Sequence, residues 1–245
     1  GQSATDARAP RPWDARAASD PVAATLEPSA QFHATRVASK TGAAVMPVCF
    51  GIAFTNTSMN QGSALVHIYT DGSVGVTTGG IEMGQGISTK IQDIAARAFG
   101  IRPERVKIES TNTTRVANMS PSAASATTDL NGNATIKAID QILDGMKRVA
   151  VQEIKKSDDA LDFAPDVIEI RDEHVYAEGK QTALRWQELV QATYLSRTAL
   201  SAHAFYATPG IYFDRELEKG EPFAYHAYGT ALVEVTVDCH LGTYD

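Results

Sequence analysis

A chain of 245 residues, 43% of them hydrophobic, holds enough apolar material for one large domain or for two lobes with cores of their own. A formal net charge of -7 and a pI near 5.4 exclude nucleic acid and anionic membrane as main partners. No apolar run reaches the roughly 18 residues of a membrane-spanning helix, and no charged-then-apolar leader opens the sequence, so a soluble, cytoplasmic protein is expected.

Residues 1–43, rich in Ala, Arg, Asp and Pro and without a sustained period, read as a peripheral or linking segment, and the missing initiator methionine fits a fragment or a processed product. From Ala44 the run AVMPVCFGIAFT reads as a buried strand. ALVHIYT and SVGVTT then flank Asp71-Gly72, a two-residue hairpin signal, with Gly75 expected opposite Ile68. The loop GGIEMGQG, Gly79 to Gly86, follows at once. Behind it Ile87, Ile91, Ile94, Ala95, Ala98 and Phe99 recur at helical spacing, and Gly100 is placed to cap that helix.

RVKIES, Arg105 to Ser110, alternates as a half-buried strand. The polar stretch Thr111 to Asp129 is too long for a simple turn, and Pro121 is placed to open a helix at its first position. Ile136, Ile139, Leu143, Met146 and Ala150 mark a helical face to about Lys155. Beyond it, Val167 to Ile170, His174 to Tyr176, Leu200 to Ala207 and Tyr225 to Val237 read as strands, and Trp186, Leu189, Val190 and Tyr194 as one helical side. Strands mixed with helices, joined by hairpins rather than regular βαβ crossovers, predict an α+β fold. Two lobes are expected: 44–156, carrying both candidate ligand-binding loops, the glycine-rich one and a second at Ser120 to Asp129, and 157–245, a second α+β lobe taken as cut short at its C-terminus.

The chemistry concentrates in two loops. The glycines of Gly79 to Gly86 let a ligand approach the backbone, and the helix start behind them offers N–H groups and a partial positive charge to an anionic or acceptor-rich group. The spacing is neither a P-loop nor a dinucleotide fingerprint, so ligand site and plain connection both stay open on these grounds. The second loop, Ser120 to Asp129, adds small Ala123 and Ala124 and the hydroxyls of Ser122, Ser125, Thr127 and Thr128. Together they suggest a phosphate-bearing cofactor held by backbone rather than by lysines. Glu82 reads as dipole stabilisation for the helix behind it. The six histidines show no HxH or HExxH spacing, so no protein-ligated metal is expected. Cys49 and Cys239 are too few for an iron–sulfur cluster, which needs about four thiolates.

GIAFT, LVHIYTDGSV, GGIEMGQG, MSPSAASATTDLNG, FYATPG and PFAYHAYGTALVEVTVDC, in this order, resemble the molybdopterin-binding subunit of bacterial xanthine dehydrogenases, over about Met46 to Tyr244. The resemblance implies a molybdenum-cofactor-binding α+β domain. It implies that Met83, Gly84 and Gln85 contact the pterin, and that Ser122, Ala124, Ser125, Thr127 and Thr128 hold the pyranopterin and its phosphate tail, with Ala124 close to molybdenum. Phe54 and Thr55 would meet a flat heteroaromatic substrate, a purine such as xanthine or hypoxanthine. Molybdenum would be held by cofactor sulfurs, and electrons would leave through iron–sulfur and FAD centres on other chains or domains.

The resemblance has gaps. The family's catalytic glutamate lies in a motif beyond this chain, and Glu221 in KGEPFAYH is not its counterpart, so no catalytic residue is assigned. The chain is expected to be a middle slice of a larger molybdenum subunit, inactive alone, with the remaining parts of that subunit and an iron–sulfur/FAD subunit as partners. An aldehyde or nicotinate hydroxylase, or a noncatalytic scaffold module, are the alternative readings.

Overall fold

The computed structural model describes residues 38–157 and 163–245; the segment expected over residues 1–43 lies, up to residue 37, outside them. In chain order the regular elements are β1 (Ser39–Ile52), β2 (Gln61–Ile68), β3 (Val74–Thr78), α1 (Ile87–Phe99), β4 (Val106–Ile108), α2 (Thr127–Ser157), β5 (Ile168–Arg171), β6 (His174–Ala177), β7 (Lys180–Arg185), α3 (Trp186–Leu195), β8 (Ser201–Ala207), β9 (Tyr212–Asp214), β10 (Lys219–Glu221), β11 (Tyr225–Asp238) and β12 (Thr243–Tyr244). The α+β character is as read from the sequence.

The described residues group into two compact units, one of residues 38–51 with Tyr225–Asp245, the other within Ile52–Ala224. This grouping differs from the lobes expected at 44–156 and 157–245. The reason is β8, which comes from the far third of the chain and pairs antiparallel along β2, from Gln61↔Ala207 to His67↔Ser201.

The first unit carries the sheet β1-β11-β12. Its strand β1 was expected to be buried, yet Val45, Met46, Val48 and Phe50 are exposed. Among the described residues this unit contains no helix to form a second layer over that sheet. Cys49 and Cys239 are both free thiols, exposed on the unit.

The second unit is built on the sheet β4-β3-β2-β8. The β2–β3 hairpin forms where Asp71-Gly72 predicts it, but with a three-residue loop. Gly72 N–H donates to Tyr69 O (2.9 Å) and Tyr69 N–H to Ser73 O (2.8 Å), with Gly72 left-handed at φ 83°, the turn-plus-bulge pattern of such loops. The register sets Gly75 opposite His67 rather than Ile68. A β-carbon on Gly75 would come within 2.6 Å of His67 Nε2, so the glycine leaves room for that ring.

β4 runs parallel to β3, a departure from the expectation of hairpins rather than βαβ crossovers: β3-α1-β4 is a βαβ unit, as parallel pairing requires. The α1 stripe is the predicted one, with Ile87, Ile91, Ala95 and Phe99 buried and Gly100 closing the helix at φ 70°. The longer α2 buries Leu130, Ala134, Ala138, Ile139, Ile142, Met146, Ala150 and Ile154. Its alanines bring it close to β2, where a β-carbon on Gly62 would touch the Leu130 backbone at 3.1 Å. Ile136, expected on the buried face, is exposed because it falls on the side away from Ala134 and Ala138. Nor does Pro121 open the helix. Ala124 and Ser125, at φ 53° and 52°, interrupt any helical path from it.

The sheet β5-β6-β7 and α3 complete the core. β7 was not foreseen, its alternation being weak. Trp186 is fully buried at the start of α3, its ring 5.5 Å from Phe99 and its indole N–H donated to Gly72 O at 2.8 Å. Tyr194, expected on the same side, is exposed, and Thr193 is buried in its stead.

Glu173 fastens the small sheet to the α1–β4 connection. Its N–H donates to Gly100 O (3.0 Å), and its carboxylate accepts from Arg105 Nε (2.5 Å), Arg105 Nη2 (3.0 Å) and Arg102 Nε (3.1 Å). The Arg105 hydrogen bonds pull this carboxyl from 4.5 down to about 2, against partial burial and with further help from Arg102. A depressed carboxylate stabilises the fold above its unfolded pKa and loses that contribution as the pH falls through the folded one. Thermal unfolding followed from about pH 6 to about pH 2 is therefore expected to show a Glu173-dependent loss of stability below about pH 4.5, and Glu173→Gln should remove that part of the slope.

Candidate functional site

Register places the candidate residues at one end of the four-stranded sheet. Ala64 pairs with Thr78, so β2 begins where β3 ends. The segment Phe54–Asn60 enters β2 there, the loop Gly79–Gly86 leaves β3 there, and the first turns of α2 lie over Gly62. The segment after β8 arrives at the same end, Thr208 N–H donating to Asn60 O at 3.0 Å.

The two loops meet. Ile81 N–H donates to Ser122 Oγ at 2.8 Å. A β-carbon on Gly79 would lie 2.5 Å from Met119 Cβ and 3.2 Å from its sulfur, and one on Gly80 would lie 3.1 Å from Thr127 Cγ2. Met119 in turn accepts the Ser63 N–H on its sulfur at 3.0 Å, tying the second loop to β2. Thr111 Oγ1 reaches Thr78 O and Gly80 O, each at 3.1 Å. The glycines of the first loop thus serve two purposes: Gly79 and Gly80 make room for the second loop, while Gly84 and Gly86, with open space around them, supply left-handed backbone at φ 98° and 78°.

The sequence suggests free N–H groups at the start of α1, ready for an anion. In the structure the chain's own Glu82 takes two of them, those of Gly86 and Ser88. Its Oε1 accepts from Gly84 N–H (2.9 Å) and Gly86 N–H (3.0 Å), and its Oε2 from Ser88 N–H (3.0 Å). These bonds, that of Ser88 first and that of Gly86 next, hold the Glu82 carboxyl below its ordinary range. Gln85 is folded over the loop as well, its Oε1 accepting Met83 N–H (2.7 Å) and its Nε2 donating to Ile81 O (2.8 Å). A glutamine amide carries a second N–H and a second lone pair beyond these. Met83 and Ile81 are left exposed, 66% and 53%, around it.

In the second loop the consecutive left-handed residues Ala124 and Ser125 turn the chain into α2. Such backbone costs on the order of 1–3 kcal/mol per residue and concentrates where ligands are gripped. Ser122, Ala124, Thr127 and Thr128 are half-buried and Ser125 is exposed. One turn inside α2, Asn131 is 6% exposed; its Nδ2 donates to Thr127 O at 2.9 Å, and its Oδ1 is buried without a hydrogen-bond partner. Asn131 Nδ2 is also 3.4 Å from where a Gly80 β-carbon would sit, so this amide lies beneath the junction of the two loops.

Phe54 and Thr55 fall just beyond β1, after Ala53 at φ 147° has ended the strand. The Phe54 backbone is held at both polar atoms by buried Asn60, which accepts its N–H at 2.8 Å and donates to its carbonyl at 2.9 Å. Phe54 is half-buried and Thr55 exposed. Glu221 lies in the β9–β10 hairpin, paired with Tyr212. Among the described residues, no group of three His, Cys, Asp or Glu side chains is arranged to hold a metal ion. Glu82, Met119 and Asn131 are the contributors that sequence reasoning missed or left structural. Met119 and Asn131 carry no periodic signal, and only their places beside the small-residue run could have marked them.

Residues 18–245 match the family model described as a molybdopterin cofactor-binding domain. The xanthine dehydrogenase/oxidase of Felis catus is 38% identical over 235 residues, 96% of this chain and 16% of that protein. The xanthine dehydrogenase of Oryza sativa subsp. japonica is 43% identical over 205 residues, 84% of this chain and 13% of that protein. The chain thus spans a small part of the curated relatives it matches. Among solved structures, quinoline 2-oxidoreductase from Pseudomonas putida 86 aligns with a TM-score of 0.69 at 21% identity, over 91% of this chain and 28% of that one. The reconstituted CO dehydrogenase from Oligotropha carboxidovorans aligns at 0.68 and 19% identity, over 91% and 27%. At those identities the likeness is one of fold.

Proposed function

Since this chain belongs to the molybdopterin cofactor-binding domain family, we propose that its two joined loops hold the pterin of a molybdenum cofactor in a hydroxylase of the xanthine dehydrogenase type. The substrate is a purine such as xanthine or hypoxanthine, and the electrons pass to iron–sulfur and FAD centres on other domains or chains. The observation that carries this reading is the Ile81–Ser122 hydrogen bond, which sets two small-residue loops side by side at one end of the sheet.

The residues present fit such a group. Asn131 Oδ1 is a buried acceptor still without a partner, and Ala124–Ser125, where the chain enters α2, is strained backbone. Gln85 has an amide N–H left for a pterin acceptor, with Met83 and Gly84 beside it. Exposed Ile81 and Met83 offer apolar cover to a flat heterocycle. Ser122, Ala124, Ser125, Thr127 and Thr128 would take the pyranopterin and its phosphate, because the opening N–H groups of a helix such as α2 have no carbonyl one turn back and favour negative charge. Phe54 would meet the substrate ring edge to face and Thr55 its polar edge, on a backbone that Asn60 keeps still. When bound, molybdenum held by cofactor sulfurs supplies the redox and oxygen-transfer chemistry. This chain's residues bind and orient; the base is assigned to none of them.

Gln85→Ala in the cofactor-loaded protein that contains this chain is expected to lower bound pterin and molybdenum by about tenfold, the loss of one or two hydrogen bonds to a held ligand. Pterin fluorescence after oxidation and metal analysis read this directly. Full retention would refute the role given to Gln85.

A further inference from the structure

We propose that Glu82 is a positioning residue for cofactor binding, acting through Gln85; this rests on the reading of Gln85 above. Glu82 accepts the N–H of Gly84 and of Gly86, the residues on either side of Gln85, on a single oxygen, at 2.9 and 3.0 Å. Its other oxygen accepts Ser88 N–H at 3.0 Å and anchors the loop to the first turn of α1. Gly84 and Gly86 are both left-handed, a conformation glycine adopts without steric cost, and glycine is the residue with the most backbone freedom to lose on ordering. The carboxylate therefore removes the freedom that the glycines introduce, and it does so on both sides of the one residue whose side chain is to meet the pterin.

The side chain of Gln85 is fixed on the same frame. Its amide closes on Met83 N–H and Ile81 O, the residues immediately flanking Glu82. Glu82 and Gln85 thus lace the loop in alternation, Glu82 binding 84, 86 and 88 and Gln85 binding 81 and 83, with no bond between the two side chains themselves. The second amide N–H of Gln85 points in a direction set by this lacing. Glu82 needs no contact with the cofactor to matter, and it takes the Gly86 and Ser88 N–H groups at the start of α1 for the loop itself.

The test is a double-mutant cycle in the cofactor-loaded protein containing this chain, with Glu82→Gln, Gln85→Ala and the pair, read as pterin and molybdenum retained after dialysis. Glu82→Gln is expected to lower retention about tenfold, as for the loss of charge-assisted hydrogen bonds that position a ligand group. The pair should be no worse than Gln85→Ala alone, since one residue acts through the other. Amide exchange at Gly84, Gly86 and Ser88 should quicken in Glu82→Gln without cofactor, while melting temperature stays close to that of the parent. Effects that add in full, or unchanged retention in Glu82→Gln, would overturn the inference. Unchanged retention in Gln85→Ala would instead overturn the role of Gln85 first. Glu82→Asp, which keeps the charge and shortens the arm by one methylene, replaces the amide variant should that one fail to fold, and is expected to show a smaller loss in the same direction.

Discussion

Gly79→Ala is expected to strip the protein of its cofactor by at least about tenfold while costing about 1–3 kcal/mol of stability, the usual range for an extra carbon forced into a packed site. The new methyl would overlap Met119 Cγ and stand 2.5 Å from Met119 Cβ. A Cβ is fixed to the backbone and cannot swing aside, so the second loop as a whole must retreat. That retreat breaks two ties at once: the Met119 sulfur leaves Ser63 N–H, and Ser122 Oγ leaves Ile81 N–H. Gly229→Ala, with open space around it and no unusual φ, is the matched control and should change neither quantity. Pterin content and thermal unfolding, measured on both variants, decide the matter. Retention equal to the parent's in Gly79→Ala would mean that the loops do not depend on one another.

The largest loss of stability is expected at Trp186. Trp186→Ala should cost about 3–5 kcal/mol, as for other buried large aromatics cut back to alanine. That corresponds to a fall in melting temperature on the order of 6–20 °C for a chain of this size. The residue is fully buried, touches Phe99 of α1 and donates to Gly72 O in the β2–β3 turn, so one side chain joins three elements distant in sequence. Trp186→Phe keeps the ring but leaves the Gly72 carbonyl without its partner, at a cost of about 1–2 kcal/mol. Equal losses for the two variants would show that the hydrogen bond, not the packing, dominates.

Sequence reading succeeded where one physical signal decides a local structure. Asp71-Gly72 located the hairpin, the isoleucine stripe with Gly100 delimited α1, and the small-residue runs picked out both loops. It failed where distant parts of the chain decide. The pairing of β8 with β2 brings residue 207 beside residue 61 and crosses the expected lobe boundary; nothing in either segment names its partner. Periodicity placed Ile136 and Tyr194 inside, but which flank of a helix meets the sheet depends on Ala134 and Ala138 in one case and on Trp186 and Thr193 in the other. At the site, the glycine-rich loop was legible as backbone chemistry. Its self-bonding through Glu82 was not, because a carboxylate near a helix start fits both a diffuse charge effect and three specific hydrogen bonds.

The long strands β1 and β11 bear on how these 245 residues behave in a tube. Val45, Met46, Val48 and Phe50 on one, and Tyr228, Leu232 and Val233 on the other, stand open to solvent, and uncovered apolar strands are templates for self-association. Mutual repulsion from the net charge of -7 is what opposes it. Added electrolyte screens that repulsion and leaves the apolar attraction intact, so dilute, low-salt buffer keeps such a sample dispersed and high salt drives it to clump.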